Sequence, residues 1–405
     1  MHLKINCSKK KIKDVLDYII IILLFYYTGG AFSSRNYSLK ITMLLIAMLI
    51  LVLFFAQKRN EKRLYKGVCL LTAMIFFILL VPVLNSDSNL GPYIAIPMQL
   101  CIGLLVAIFI EKKVFEEKFI YIITVFAAIS LLGFVLQIMV PSIALAFPMS
   151  TVEDASVNYY NAIVYVFMSP KGFYDNSVMT VRNAGICWEP GCYQAFLNLG
   201  IFFLLAGSAK EKIKNRAIIL FILIITVITT FSTNGYIIMG ILLLVYHKNV
   251  KAIYKTNKKI FILGIGGSII ALCLIQAIGI DIFRVFDKVQ KEFNSSSENN
   301  VIERVSLEKI KYLFYEGHFY FFGMSFSRWT TINESMWNSI IHTILCIGIP
   351  FTTLQLYGYW KFSAKYKYPL VIFIILIMCF STETLFWRTF FNSLIFMGIL
   401  YKKKE

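Results

Sequence analysis

Residues 119–140 read FIYIITVFAAISLLGFVLQIMV, 22 consecutive residues without a charged side chain. An α-helix of that length rises about 33 Å, slightly more than the roughly 30 Å hydrocarbon core of a bilayer. The run does not alternate apolar with polar residues, as a membrane β-strand must. Lipid offers no partner for backbone N–H and C=O groups, so the remaining way to span it is a helix. Residues 18–28 and 41–56 are shorter runs of the same kind. Over the whole chain 58% of residues are hydrophobic and 15% are charged, against about 45–50% and 25% in soluble domains. The expected fold class is an all-α integral membrane protein, and no soluble class fits.

Apolar runs mark about twelve transmembrane helices, at 17–31, 39–56, 67–84, 92–110, 119–140, 184–207, 217–231, 235–247, 260–279, 338–358, 369–385 and 387–401. They form a single polytopic membrane domain over 1–405. A formal charge of +18 would suggest nucleic acid in a soluble protein; here it gathers in alternate short connectors. Segments 1–16, 57–66, 111–118, 209–216, 248–259, 359–368 and 402–405 hold 28 of the 40 Lys and Arg residues. The opposite side holds the remaining 12, and 7 of those fall in the long segment 280–337. Long translocated segments weigh little in the positive-inside rule, so both termini are expected in the cytoplasm. The basic N-terminal stretch lacks a small-residue cleavage site and reads as the flank of an uncleaved first helix. The eight cysteines show no CxxC pair and suggest neither a metal site nor a disulfide framework.

The stretch TFSTNG at 230–235 separates two short apolar runs, and charge alternation favours a break there over one long helix. A polar turn at membrane depth is tolerated where protein or a watery cavity covers it. Ser232, Thr233 and Asn234 are therefore expected to line a cavity; the alternative is a hairpin whose tip just reaches the outer interface. Two outer segments, 141–182 and 280–337, are too long to be mere connectors. In the second, Val301, Ile302, Val305, Ile310, Leu313 and Phe314 recur at helical spacing among charged residues, which predicts an amphipathic surface helix.

The sequence contains no GxxxxGK[ST], no GxGxxG after a strand, no HExxH and no DxD, so nucleotide hydrolysis, dinucleotide chemistry and zinc proteolysis lack their residues. No cytoplasmic soluble domain exists to bind a nucleotide-sugar. Chemistry would therefore take place on the outer side, on a substrate that carries its own leaving group, such as a lipid-diphosphate-linked sugar. That reaction needs cations for the diphosphate and a base for the acceptor hydroxyl. The candidate cations are Arg182, Arg284, Arg304 and Arg328, with Ser232, Asn234 and Asn338 as polar contacts. The densest cluster is Arg182-Asn-Ala-Gly-Ile-Cys-Trp-Glu-Pro-Gly191, where Pro190 suits the first turn of a helix. Glu189 is either a capping carboxylate or a candidate base. His318, in Glu316-Gly-His-Phe319, is either an interfacial histidine or the base; the choice between Glu189 and His318 stays open. His342 lies four residues after Asn338 on one helical face. Glu383 and Arg388 read as an ion pair.

The layout resembles bacterial Wzy-type polysaccharide polymerases and the related O-antigen ligases. The stretch Arg182…Gly185…Glu189-Pro190 is similar to the Arg-x-x-Gly…Glu-Pro stretch of capsular and exopolysaccharide polymerases. Thr230-Phe-Ser-Thr-Asn-Gly235 is similar to the family's Thr-x-Ser-Arg-x-Gly, with Thr233 in the arginine position. Met336-Trp-Asn-Ser339…Gly348-Ile-Pro350 resembles the His-Asn segment opening the tenth helix, with Trp337 in the histidine position. The resemblance implies a GT-C-like glycosyltransferase bundle with a large external loop between helices 9 and 10. It also implies polymerisation of undecaprenyl-diphosphate-linked repeat units on the outer side of the cytoplasmic membrane, without metal or other cofactor. A chain-length regulator is a further partner that such a system would use. Trp337 in the histidine position argues for polymerase over ligase. A flippase or other secondary transporter is the rival outside this family; those folds usually repeat in two halves, and this chain shows no internal repeat.

Overall fold

The computed structural model describes residues 2–31, 61–150, 159–161, 163–168, 182–256, 258, 320–331 and 338–402. The helices in chain order are α1 (His2–Gly29), α2 (Glu61–Asn85), α3 (Gly91–Phe109), α4 (Lys112–Met139), α5 (Pro190–Ala206), α6 (Arg216–Thr229), α7 (Thr233–Val245) and α8 (His247–Thr256). They continue as α9 (Phe326–Thr331), α10 (Ser339–Cys346), α11 (Ile349–Ser363), α12 (Pro369–Thr382) and α13 (Thr389–Leu400). Between α4 and α5 lie a 3-10 turn, Pro141–Ala146, and three short antiparallel strands, β1 (Met149–Ser150), β2 (Tyr159–Asn161) and β3 (Val166–Met168), in the order β1-β2-β3.

Helix dominates, and among the described residues three helices are long and apolar enough to cross a membrane: Leu64–Asn85 within α2, α3, and α4. A fourth span results if α7 and α8, bent by 78° at Tyr246, are taken together. Helices α5, α6, α12 and α13 are apolar but shorter. The chain is thus a helical membrane protein. The expected spans 39–56 and 260–279 and the amphipathic stretch 301–314 lie outside the described residues.

Several boundaries differ from expectation for physical reasons. The span expected at 338–358 is two helices, because Gly348 turns the backbone to φ 102°, a conformation that suits glycine alone. The helix expected to start at 184 starts at Pro190, since 182–189 is held in an irregular stretch with Gly185 at φ 56°. The connector expected at 248–259 is largely helix α8. The segment 141–182 contains the small sheet, which closes over Phe134 and Ile138 of α4 through Tyr165 and Phe167.

The chain divides into two compact units. The first comprises Met1–Thr28, Lys40–Phe115 and Asn300–Glu405. Its core is α13, buried from Thr389 through Gly398. Small residues let the neighbouring helices approach it closely. A Cβ on Gly103 of α3 would lie 2.9 Å from Asn392 Cβ and 3.0 Å from the Ser393 nitrogen. Gly358 of α11 faces Ile395, and Gly398 faces the Phe362 backbone. Polar groups inside are joined to one another: Gln355 Nε2 donates to Asn392 Oδ1 (3.1 Å), and Asn392 Nδ2 donates to the Trp387 carbonyl (2.7 Å). The second unit comprises Gly29–Leu39 and Glu116–Asn299. Its core is α5, buried from Pro190 through Leu205, with α6 and α7 packed against it. Gly200 admits Ile123 of α4, and Phe203 meets Phe119 edge to face at 5.9 Å.

Overpacking a tight helix crossing costs about 1–3 kcal/mol. Gly398→Val should therefore lower the melting temperature of the detergent-purified protein. Gly240→Val, in α7 with nothing within 4 Å of the added Cβ, should leave it nearly unchanged. Equal shifts in a thermal size-exclusion assay would contradict the tight α11–α13 crossing.

Candidate functional site

In the first unit a cavity of about 470 Å³ opens where α2 ends, lined by Leu84, Asn85 and Ser86 on one side and by Tyr320–Ser325 and Arg328 on the other. The apolar run of α2 stops at the polar sequence Asn-Ser-Asp-Ser-Asn (85–89), which cannot continue in hydrocarbon and turns the chain into α3. Asn85 Nδ2 donates to the Gly323 carbonyl at 3.2 Å and ties the two walls together. Ser86 (φ 50°), Gly323 (φ 82°) and Ser325 (φ 83°) all adopt left-handed backbone. For the two serines this is a sparsely populated conformation that the surrounding structure must hold.

Arg328 lies on α9 at the cavity wall and is exposed. Its guanidinium sits over the Tyr320 ring at 5.3 Å, and among the described residues no carboxylate pairs with it. What places it is a carboxylate about 240 positions earlier in the chain. Asp87, 9% exposed, accepts from Ser327 Oγ (2.5 Å) and Asn89 N (2.9 Å) on Oδ1, and from Tyr93 Oη (2.9 Å) and Ser327 N (3.3 Å) on Oδ2. Tyr93 Oη in turn accepts from Phe326 N at 3.1 Å. The first turn of α9 is thereby capped from outside, as orphan N–H groups require. Burial alone would raise the Asp87 pKa, but the four donated hydrogen bonds outweigh it and hold the carboxyl at about 2.

In the second unit the Arg182 stretch docks on the break between α6 and α7. Arg182, half-buried, donates from Nε to the Thr230 carbonyl at 3.1 Å. Asn183 donates from its backbone to the Thr229 carbonyl (3.0 Å) and from Nδ2 to Thr229 Oγ1 (2.9 Å). Phe231 at φ 48° marks the break itself. Ser232, buried, caps α7 by accepting from Gly235 N at 3.4 Å, so its oxygen serves the helix; Asn234 is half-buried on the first turn of α7. Behind the break, Asn198 Nδ2 donates to Gln194 Oε1 (2.9 Å) and to the Gly235 carbonyl (3.1 Å). Gln194 Nε2 and Asn198 Oδ1 have no partner among the described residues, which marks a polar interior behind the break. Glu189 stands at the N-cap of α5 in extended conformation, half-buried, and its side chain makes no capping hydrogen bond. Pro190 opens the helix as its type favours.

The remaining candidates separate clearly. Asn338 caps α10, its Oδ1 accepting from Ile340 N and Ile341 N at 3.1 Å each, so that oxygen is already committed. His342 is enclosed by Phe326, Trp329 and Trp387 at 5.4–6.0 Å between ring centres, with Nε2 at 3.3 Å from Cys346 Sγ. It is partly buried, and its Nδ1 has no hydrogen-bond partner among the described residues. Arg388 donates from Nε to the Thr384 carbonyl at 3.1 Å, and Glu383 is fully buried. His318, Arg284, Arg304 and Trp337 lie outside the described residues. Asp87, Asn85, Tyr93 and Ser327 were not singled out by sequence. The polar pentad at 85–89 between two apolar runs was the available signal, but its partners are far away in the chain.

No protein-family model matches the chain, and no curated protein matches it.

Because the folded pKa of Asp87 lies below the ordinary carboxylate value near 4, its contribution to stability is complete above that value and is lost as pH falls towards 2. Hydrogen bonds to a charged acceptor are worth roughly 1.5–3 kcal/mol. Asp87→Asn should lower the melting temperature at neutral pH and flatten its decline on acidification. An unchanged melting curve would show that Asp87 does not brace α9.

Proposed function

We propose that the chain is a glycosyltransferase that polymerises undecaprenyl-diphosphate-linked oligosaccharide repeat units into surface polysaccharide, on the outer side of a bacterial cytoplasmic membrane. The observation that carries this reading is Arg328. It is an exposed guanidinium on the wall of a cavity that begins where a membrane-crossing helix ends, beside Leu84 on one side and the polar Asn85 and Ser86 on the other. An anion attached to a lipid tail presents the complementary sequence of groups. The aromatic residues Tyr320 and Phe321 on the same wall offer faces for sugar rings. The resemblance to Wzy-type polymerases adds the layout: about twelve helices, both termini cytoplasmic, and 141–182 and 280–337 outside.

In the proposed reaction a hydroxyl oxygen of an incoming lipid-linked unit attacks the anomeric carbon of the growing chain. The bond from that carbon to the diphosphate oxygen breaks, and undecaprenyl diphosphate leaves with the electron pair. The hydroxyl proton passes to Glu189 or His318. Arg328 stabilises the charge that develops on the leaving diphosphate; Arg182, Arg284 and Arg304 are the other cations offered for that role. The arginines supply the charge that a metal supplies in many other glycosyltransferases.

The test is complementation of a gene deletion, read as a surface-glycan ladder on a gel. Wild-type protein should restore the ladder. Arg328→Ala and Arg182→Ala should each reduce polymer by about a hundredfold or more, leaving single capped units. Normal long polymer from both variants would overturn the diphosphate assignment. Polymer stranded on the lipid carrier in the deletion strain would indicate a ligase, and units trapped inside the cell a flippase.

A further inference from the structure

Helix α8 carries a surface that the glycan chemistry does not use. Its sequence is HKNVKAIYKT, and the spacing of Lys248, Lys251 and Lys255 puts these three on one stripe; Lys258, two residues past the end of the helix, continues the same three-and-four spacing in the sequence. All four are exposed. The opposite face holds Ile253 (4% exposed) and Asn249, whose Nδ2 donates to the Leu205 carbonyl at the end of α5 (2.6 Å), and Tyr246 at the bend before the helix is buried too. The helix is therefore fixed to the bundle by its apolar side and presents its lysines away from it. Between Glu211 and Asp281 the chain contains no acidic residue, so nothing along this stretch neutralises the stripe. The connector before α6 adds exposed Lys212 and Lys214 against Glu211.

The position of α8 along the membrane normal follows from α7. The apolar run of α7 ends at Val245, and α8 leaves it at 78°. A helix about 10 Å wide lying flat at the end of an apolar span occupies the headgroup layer, with its apolar side against the bundle and its lysine side free to meet the phosphates.

We propose that α8 is an interfacial helix whose Lys248–Lys251–Lys255 stripe, with Lys258 just past its end, binds anionic phospholipid headgroups. Charge complementarity selects this occupant: four closely spaced like charges match a dense anionic surface, and lysine side chains reach past the helix to meet it. The inference requires only that α7 enter the bilayer, so it stands or falls independently of the sugar chemistry.

The experiment uses the full purified chain and short-chain phosphatidylglycerol or phosphatidylcholine as probes, with bound lipid counted by native mass spectrometry. Wild-type protein should retain phosphatidylglycerol about tenfold more strongly than phosphatidylcholine. The K248Q/K251Q/K255Q/K258Q variant should lose that preference while keeping its melting temperature, and the four-fold Lys→Arg variant should retain it. Equal retention of the two lipids by wild type would overturn the proposal, as would a preference unchanged in the glutamine variant. Cross-linking of the stripe to an acidic protein, with no effect of lipid charge, would also overturn it.

Discussion

A backbone that enters hydrocarbon must bring its own hydrogen-bond partners, and the way this chain satisfies that demand organises everything else in it. Where helix is continuous the demand is met internally. Where helix breaks, another stretch of chain supplies the missing partners. At the break after α6, the Thr229 and Thr230 carbonyls are taken up by Asn183 N and Arg182 Nε. At the break after α10, the Leu345 and Cys346 carbonyls accept from Met324 N (2.7 Å) and Ser325 N (3.3 Å), and Ile349 N donates to the Phe321 carbonyl (3.0 Å). In each unit the stretch that repairs a broken helix is the one that carries a candidate arginine. The candidate cations and the backbone repair thus share the same stretches of chain.

The same constraint explains the brace at Asp87. Helix α9 is six residues long, too short to be stable on its own, and its first N–H groups need acceptors. A carboxylate held ionised by four donors is a strong acceptor set, and the Asp87–Ser327 and Tyr93–Phe326 hydrogen bonds fix the helix to the α2–α3 turn. The side chain of Arg328, one residue further on, inherits that placement.

Much of this was legible in the sequence. The run 119–140 and the break at TFSTNG are written in composition and turn chemistry, and the structure has a helix over Lys112–Met139 and a break at Phe231; Pro190 suited a helix start, although hydropathy put the beginning of that span at 184. Where the reading failed, the signal was present but subordinate. Gly348 and Pro350 sit inside an apolar run, and hydropathy concealed the division between α10 and α11. The lysines of α8 were counted as charge in a connector, while their three-and-four spacing went unused. Asp87 could not be read at all as a brace, since its partner Ser327 is separated from it by most of the chain and only folding joins them. For Glu189 the sequence left a capping role and a base role open; it does stand at the N-cap of α5, but its side chain makes no capping hydrogen bond.

The reading of the chain as an outer-face polymerase requires the two arginine-bearing stretches to share one compartment. In a cysteine-free background, Arg182→Cys and Arg328→Cys should both react with a membrane-impermeant maleimide added to intact cells, once the outer layers are permeabilised. Labelling of one position from outside and of the other only after lysis would contradict that reading directly.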